Sequence, residues 1–377
     1  MRGLAKGEQS TSTAPILQLI TREGEFLKDP VEGSYIIEDV RDPDLTPTTR
    51  VNLTSLNLDP IASAGHKLGT GRFYIPTGDT SAWAFGTHRV VYTYKMETGG
   101  RDFKQIIEFE ILNPTTFPTG QDYVGYASTM ALYRDAIFLL SGITPEKLHP
   151  HIRRVSLELE NYTDRFFEPR YVEQYLDGSC RPVLFLDEAV IALESVSTVT
   201  RDADGAETTE DYDAAAYRVF NRHLDGLFNP DDRHNPKLTM VETTQIPGVT
   251  GVHGEFQWPS GRQNILVKGV FGYTDPGAMS DKVLIGHTPD DFVQIVGTMV
   301  SRYIGDPTLT SVSTWRPSLI KSYKTRDQQI QFYGASGNVD YTGGVTGDAM
   351  LDQKLLRFVK PIRLSYPERA QYDRGIL

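Results

Sequence analysis

Apolar and polar positions alternate through roughly the first hundred residues. The clearest runs are Ile16–Ile20, Ser34–Val40, Gly71–Ile75, His88–Tyr94 and Phe103–Leu112, the last with Ile107, Phe109 and Ile111 on one face. Period-two runs of β-branched and aromatic residues, broken by Gly and Pro, predict antiparallel strands packed as two sheets. The polar stretch 1–14 ahead of them reads as a flexible arm. Asn113-Pro114-Thr115-Thr116-Phe117-Pro118-Thr119-Gly120 then breaks the rhythm and predicts a linker over 114–121.

Beyond that break the period changes to about 3.6. Tyr126, Met130, Tyr133, Ile137 and Leu140 share one helical face, which predicts a helix over 122–141 ended by Gly142. Leu148, Ile152, Val155, Leu159, Tyr162 and Phe166 make a second stripe. Pro150 cannot sit deep in a helix without a kink, so this helix is expected over 150–167, after a short turn at 144–148. Strand-like runs return over 170–275, with a hairpin turn at Asp204-Gly205. Thr288-Pro289-Asp290-Asp291 has the cap, the proline and the acids of a helix start, and predicts a helix over 288–304 with Phe292, Ile295 or Val296, Met299 and Tyr303 on its buried side. A final helix is expected over 349–358, capped by Asp348 and closed by Pro361. The stripes are core, or surfaces for a neighbouring subunit.

Composition bounds the function. The chain has 377 residues, 39% hydrophobic and 23% charged, which fits an ordered globular protein of two or three domains. Its 33 glycines and 22 prolines imply many turns and therefore many short strands. The first strand-rich block, 15–113, has the size of an immunoglobulin-like β-sandwich. The expected fold class is thus α+β and multidomain: that sandwich, then a helical body over 122–360 with an inserted antiparallel β subdomain, then an extended tail over 361–377. The net charge of −11 argues against a protein that coats nucleic acid. The single cysteine, Cys180, excludes a disulfide scaffold and reads as a small buried apolar residue. No apolar run approaches the ~18 residues of a membrane span.

Candidate chemistry is thin. Asp202-Ala203-Asp204-Gly205 has Glu207 where a calcium loop needs glycine, so it reads as an acidic turn. His149 and His151 flank Pro150, but no third ligand completes a metal site; His234 beside Asp231 and Asp232 is no better. Gly69-Thr70-Gly71 lacks the strand–turn–helix setting of a dinucleotide site. There is no phosphate loop and no nucleophile elbow. No catalytic residue, metal or cofactor is expected. The tail differs from the rest: from Arg357 onward it has five basic and two acidic residues, with interspersed aromatics. It reads as an arm that docks on a partner through Arg363, Leu364, Tyr366, Arg369, Tyr372, Arg374 and Leu377.

This layout resembles the head-to-tail adaptor (connector, or head-completion) proteins of tailed bacteriophages. The residues that carry the resemblance are Ser141-Gly142-Ile143-Thr144, Asn161 to Arg170, Leu176-Asp177-Gly178-Ser179, Pro182 to Leu186, Val190 to Thr200, Thr288 to Gly305, and Gly344 to Asp348 with Leu355 to Pro361. It covers about residues 122–365 and leaves the N-terminal block and the 205–260 insertion as additions. The resemblance implies a virion protein at the neck, assembled in the host cytoplasm. It implies a cyclic ring, usually of twelve copies, beneath the portal protein. The C-terminal arm would dock in the portal, the other face would receive a stopper or tail-completion protein, and double-stranded DNA would pass the lumen unread. A different reading is a virion-surface adhesin that holds sugar on Trp83, Phe85 and Tyr94; these aromatics read more simply as core. An enzyme, such as a hydrolase, has no support in the residues.

Overall fold

Where the sequence period changes from two to 3.6, the chain passes from sheets to helices. The computed structural model describes residues 2–11, 17–40, 52–57, 67–77, 79–135, 142–202, 204–220, 232–241, 257–275, 284–305, 322–324, 329–331 and 349–360. The N-terminal strands are β1 (Arg2–Ala5), β2 (Gln18–Ile20), β3 (Arg22–Glu23), β4 (Phe26–Leu27), β5 (Glu32–Asp39), β6 (Asn52–Asn57), β7 (Lys67–Gly69), β8 (Arg72–Tyr74), β9 (Gly86–Lys95) and β10 (Phe103–Leu112). One sheet has the order β1-β10-β9-β5-β6 and a second has β2-β8-β7. β1 lies parallel to β10, and the remaining pairs in these two sheets are antiparallel. The alternation in β9 explains the packing: Val90, Tyr92 and Tyr94 are buried, while Arg89, Val91 and Thr93 are half-buried on the other face. Leu4, Leu19, Tyr35, Phe73, Tyr92 and Phe109 form the core shared by the two sheets.

The second half carries β11 (Arg170–Gly178), β12 (Val183–Phe185), β13 (Val190–Arg201), β14 (Glu207–Asp211), β15 (Tyr217–Phe220), β16 (Lys237–Met240) and β17 (Gly261–Phe271), then β18 (Ser322–Lys324) and β19 (Gln329–Gln331). Its main sheet has the order β11-β17-β13-β4-β3, with β14 paired to β13. The hairpin β3–β4 therefore leaves the N-terminal strands and completes the sheet of the body. Leu193 donates its N–H to the Glu25 carbonyl at 2.8 Å. Ile20 and Leu27 are buried with Ile191, Ala192, Val270 and Ile285. The fully buried Arg22 donates to the carbonyls of Ile191, at 2.6 Å, and of Leu284. A small sheet, β12-β16-β15, packs on the main one around Trp258, Leu238 and Phe271. At the bulge ending β11, an added Cβ on Gly178 would lie 1.7 Å from the Pro259 carbonyl oxygen, so no side chain fits there.

The helices are α1 (Thr129–Asp135), α2 (Pro145–Thr163), α3 (Asp290–Gly305) and α4 (Ala349–Leu356). Leu148, Ile152, Val155 and Leu159 of α2 meet Phe292, Ile295, Val296, Met299 and Tyr303 of α3 and Leu351 and Leu355 of α4 in one core. Each such side chain contributes about 1.5–3 kcal/mol by leaving water. At its centre Phe167 stacks on Phe292 with ring centroids 3.7 Å apart, while Tyr126, Tyr273 and Phe358 meet Phe167 edge-on.

The structure corrects several expectations. Residues 2–5 of the expected arm form β1, because Leu4 is needed in the sandwich core. The helix expected over 122–141 begins only at Thr129, where the Ser128 hydroxyl accepts from the Ala131 N–H at 3.1 Å. Tyr123, Val124, Tyr126 and Ala127 reach the helical core from irregular chain, and residues 136–141, with Ile137 and Leu140, lie outside the described residues. α2 starts at Pro145 instead of 150 and carries Pro150 inside it. Burial of Leu148 and His149 ahead of that proline outweighs its cost of about 3 kcal/mol. α2 stops at Thr163 instead of 167, because Asp164 turns left-handed with φ 53°. The expected linker is a turn fastened at both sides: Phe117 is buried in the helical core, and Gly120 donates its N–H to Glu8 at 2.8 Å.

Candidate functional site: the seam between sandwich and helical body

β10 and α2 meet through a buried carboxylate. Glu110 and His149 are both fully buried, with Nε2 of His149 2.9 Å from Oε2 of Glu110. A carboxylate only accepts, so the Nε2–H donates. Glu110 also accepts from the Thr87 hydroxyl at 2.7 Å, the Thr129 N–H at 2.9 Å and the Thr129 hydroxyl at 3.0 Å. One side chain of the sandwich thus collects donors from β9, from the start of α1 and from α2. The Tyr123 ring stands edge-on to His149 at 5.9 Å, and Nδ1 of His149 has no partner among the described residues. Two residues along β10, burial and then the nearby Glu110 push Glu108 above the usual carboxylate range.

A second polar cluster lies where α2 hands over to β11. Arg170 reaches Glu160 at 2.7 Å, Glu168 at 3.1 Å and the Tyr126 hydroxyl at 3.1 Å. Arg2 of β1 lies 3.4 Å from Glu168. Burial alone raises the Glu168 pKa, but the surrounding cations, first the amino group of the chain and then Arg2 and Arg170, win and hold it at about 2. Further into the body, Arg165 pairs with Glu188 at 2.9 Å, and burial outweighs that pairing and raises the Glu188 pKa.

Between these joints runs an open cleft of about 1000 Å³. Its walls come from both units: Gln105 to Glu108 of β10, Leu17 and Ile20, Met130 of α1, and Ile285 to Thr288 with Asp290, ahead of and at the start of α3. Its polar residues are of both signs, with Arg2, Arg134 and Arg170 beside Glu8, Asp122 and Glu168. No group of three or more His, Cys, Asp or Glu that could hold a metal ion occurs among the described residues.

The stripe residues fall inside the chain itself. Leu148, Ile152, Val155, Leu159, Phe292, Val296, Met299 and Tyr303 are buried in the helical core, Tyr162 packs partly buried against it, and Phe166 packs beneath the main sheet of the body. Arg363, Leu364, Tyr366, Arg369, Tyr372, Arg374 and Leu377 lie outside the described residues. Trp83 and Tyr94 are buried in the sandwich and Phe85 packs against its core, so the three form no open platform. His151 stands apart from His149, its pKa lowered first by burial and then by Arg154. Asp202 closes its turn by accepting from the N–H groups of Asp204 and Ala206. Cys180 is corrected from buried to exposed; it sits in a left-handed turn with φ 51°. The Glu110 joint was missed because Glu110 falls on the polar side of an alternating strand. The cross-strand Thr87 and the lone His149 were its only signals.

No family model matches the chain, and no curated protein matches it. Solved structures similar to it include a chain from the "Neck of empty GTA particle computed with C6 symmetry", at 15% identity and a TM-score of 0.29, over 60% of this chain and 83% of that one. Another comes from the "Virion of native gene transfer agent (GTA) particle", at 16% identity and a TM-score of 0.31, over 59% and 82%. No helix among the described residues is long and apolar enough to cross a membrane.

Proposed function

We propose that this chain is a structural virion protein: a head-to-tail adaptor that forms a ring beneath a portal, extends the DNA channel and offers its far face to a stopper or tail-completion protein. The supporting observation is the aromatic knot. Tyr126, Phe167, Tyr273, Phe292 and Phe358 come from five separate stretches of the adaptor-like region, and their rings pack together. Phe167, Phe292 and Phe358, from three of the segments that carry the resemblance, thus meet in one core, and β11 to β17 lie between α2 and α3 in the chain.

The N-terminal unit is read as immunoglobulin-like. Taken in chain order, β5, β6, β9 and β10 take the places of strands C, C′, F and G in the larger sheet, and β2, β7 and β8 those of B, D and E in the smaller. The Glu110 joint and the β3–β4 hairpin hold this unit firmly to the ring body. It is a fixed outer part of each subunit, which suits contact with capsid or tail proteins.

The charge supports a conduit. Twelve copies would carry a formal charge of −132, twelve times the −11 of one chain, which suits a channel that must not grip DNA. The basic tail is suited to an acidic portal crevice. The test is co-sedimentation with the portal ring, with the full chain beside one ending at Lys360. The reading predicts that the full chain pellets with the portal and the shortened one is at least tenfold weaker. Failure of the full chain to pellet even at low salt, where charge attraction is strongest, refutes it.

A further inference from the structure

The larger sheet of the sandwich is incomplete along one border. β1 pairs with β10 only over Phe109–Leu112. The preceding stretch, Phe103–Glu108, has β9 on one side and no strand on the other among the described residues. Gln105 to Glu108 line the seam cleft instead. There Ile106 is 50% exposed, and Oε1 of Gln105 is buried without a donor among the described residues. Leu17, Ile20, Met130, Ile285 and Val293 line the same cleft. A bare strand edge along a partly apolar cleft is a template for one more strand.

The chain itself contains a segment that matches this slot. Described structure ends at Lys360, and 17 residues follow. The first of them include Ile362-Arg363-Leu364-Ser365-Tyr366, apolar at every second position and bounded by Pro361 and Pro367. That is the pattern of a single strand, too short to stand alone and stopped by proline at both ends. Five residues span about 17 Å, and the six-residue edge about 20 Å, at ~3.3 Å per residue. Reach argues against the donor's own slot. Lys360 is tied by its N–H to the Thr163 carbonyl at 2.9 Å, at the end of α2 away from the Glu110–His149 joint. The 14 residues from His149 to Thr163 cover about 21 Å of helix, and only Pro361 lies between Lys360 and the segment. A neighbour in a closed ring does not face that constraint.

We propose that the Phe103–Glu108 edge of β10 receives Ile362–Tyr366 of a second copy of this chain as an added strand, linking neighbours around the ring. The inference rests on the adaptor-ring reading and divides the arm. Residues 362–366 hold the next subunit, and the stretch from Arg369 to Leu377 remains for the portal.

The test is disulfide trapping in the full chain bound to its portal, with Cys180→Ser as background. Leu364→Cys is combined with Lys104→Cys or with Ile106→Cys, so that either register is sampled. Both β10 positions are exposed, which leaves the fold intact. The proposal predicts a ladder of covalent multimers on a non-reducing gel with at least one pair, and none beyond dimers with the single-cysteine controls. A disulfide formed only within monomers overturns it, because the segment then folds back on its own copy. Absence of any Leu364 cross-link while the chains still bind portal overturns the exchange and leaves the adaptor reading standing. Failure of the Cys180→Ser chain to bind portal removes both. A second measurement compares chains ending at Pro367 and at Lys360 by sedimentation velocity. Rings kept by the first and lost by the second are expected; rings kept equally by both overturn the proposal.

Discussion

Replacing Glu110 by alanine removes the group on which the seam converges. The carboxylate accepts from two hydroxyls, one backbone N–H and one imidazole, all at 2.7–3.0 Å and all away from water. The Thr87 and Thr129 hydroxyls lie 3.0 Å apart and can pair with each other in the variant. The Thr129 N–H and the His149 ring cannot. Two buried donors left unpaired cost about 1–3 kcal/mol each, so the expected loss is about 4 kcal/mol. That is a large fraction of the ~5–15 kcal/mol that holds a folded domain. The assay is urea unfolding followed by tryptophan fluorescence in a Trp315→Phe background, with Trp83 reporting the sandwich and Trp258 the body. A cycle with His149→Ala isolates the pair, and a coupling above about 1 kcal/mol is expected for groups in one network. A loss below about 1 kcal/mol for Glu110→Ala would refute the claim that this residue pins the two units together.

Glu168 predicts a pH dependence. Its folded pKa of about 2 lies below the ordinary ~4.3, so its contribution is present above pH ~4.3 and is lost as pH falls toward 2. The shift corresponds to about 3 kcal/mol, and Glu168→Gln should flatten the acid side of the stability profile; an unchanged profile sinks the assignment. Glu108 and Glu188 act with the opposite sign, since their raised pKa values make protonation favour the fold. Phe167→Ala should cost about 3–5 kcal/mol, measured by thermal unfolding, against under about 0.5 for the exposed Tyr175→Ala. Gly178→Ala should cost about 1–3 kcal/mol in the same assay, because its Cβ would meet the Pro259 carbonyl at 1.7 Å; a neutral result would contradict that close approach.

The helical stripes were legible because burial on one face of a helix leaves a period that a sequence displays. Leu148, Ile152, Val155 and Leu159 on α2, and Phe292, Val296 and Met299 on α3, were found this way. Strand alternation was legible for the same reason in β9 and β10. Helix ends were less so, because tertiary packing decided them: Pro150 was kept inside α2, and Tyr126 kept its place in the core without a helix. The exchange of the β3–β4 hairpin into the body left no local sign. Its two-residue strands are too short to show a period, and the partner, Leu193, lies far along the chain. Glu110 and Glu168 look like surface acids until three-dimensional neighbours enclose them.

The central claim is a place in an assembly, and imaging that assembly tests it most directly. The measurement is an electron-microscopy reconstruction of the complex formed by the full chain and the portal of the same virus. The account predicts a closed ring of this chain on the channel axis, directly beneath the portal, with the N-terminal sandwiches on the outside. Density on the capsid surface or at the far tip of the tail, with the portal bare, would contradict it.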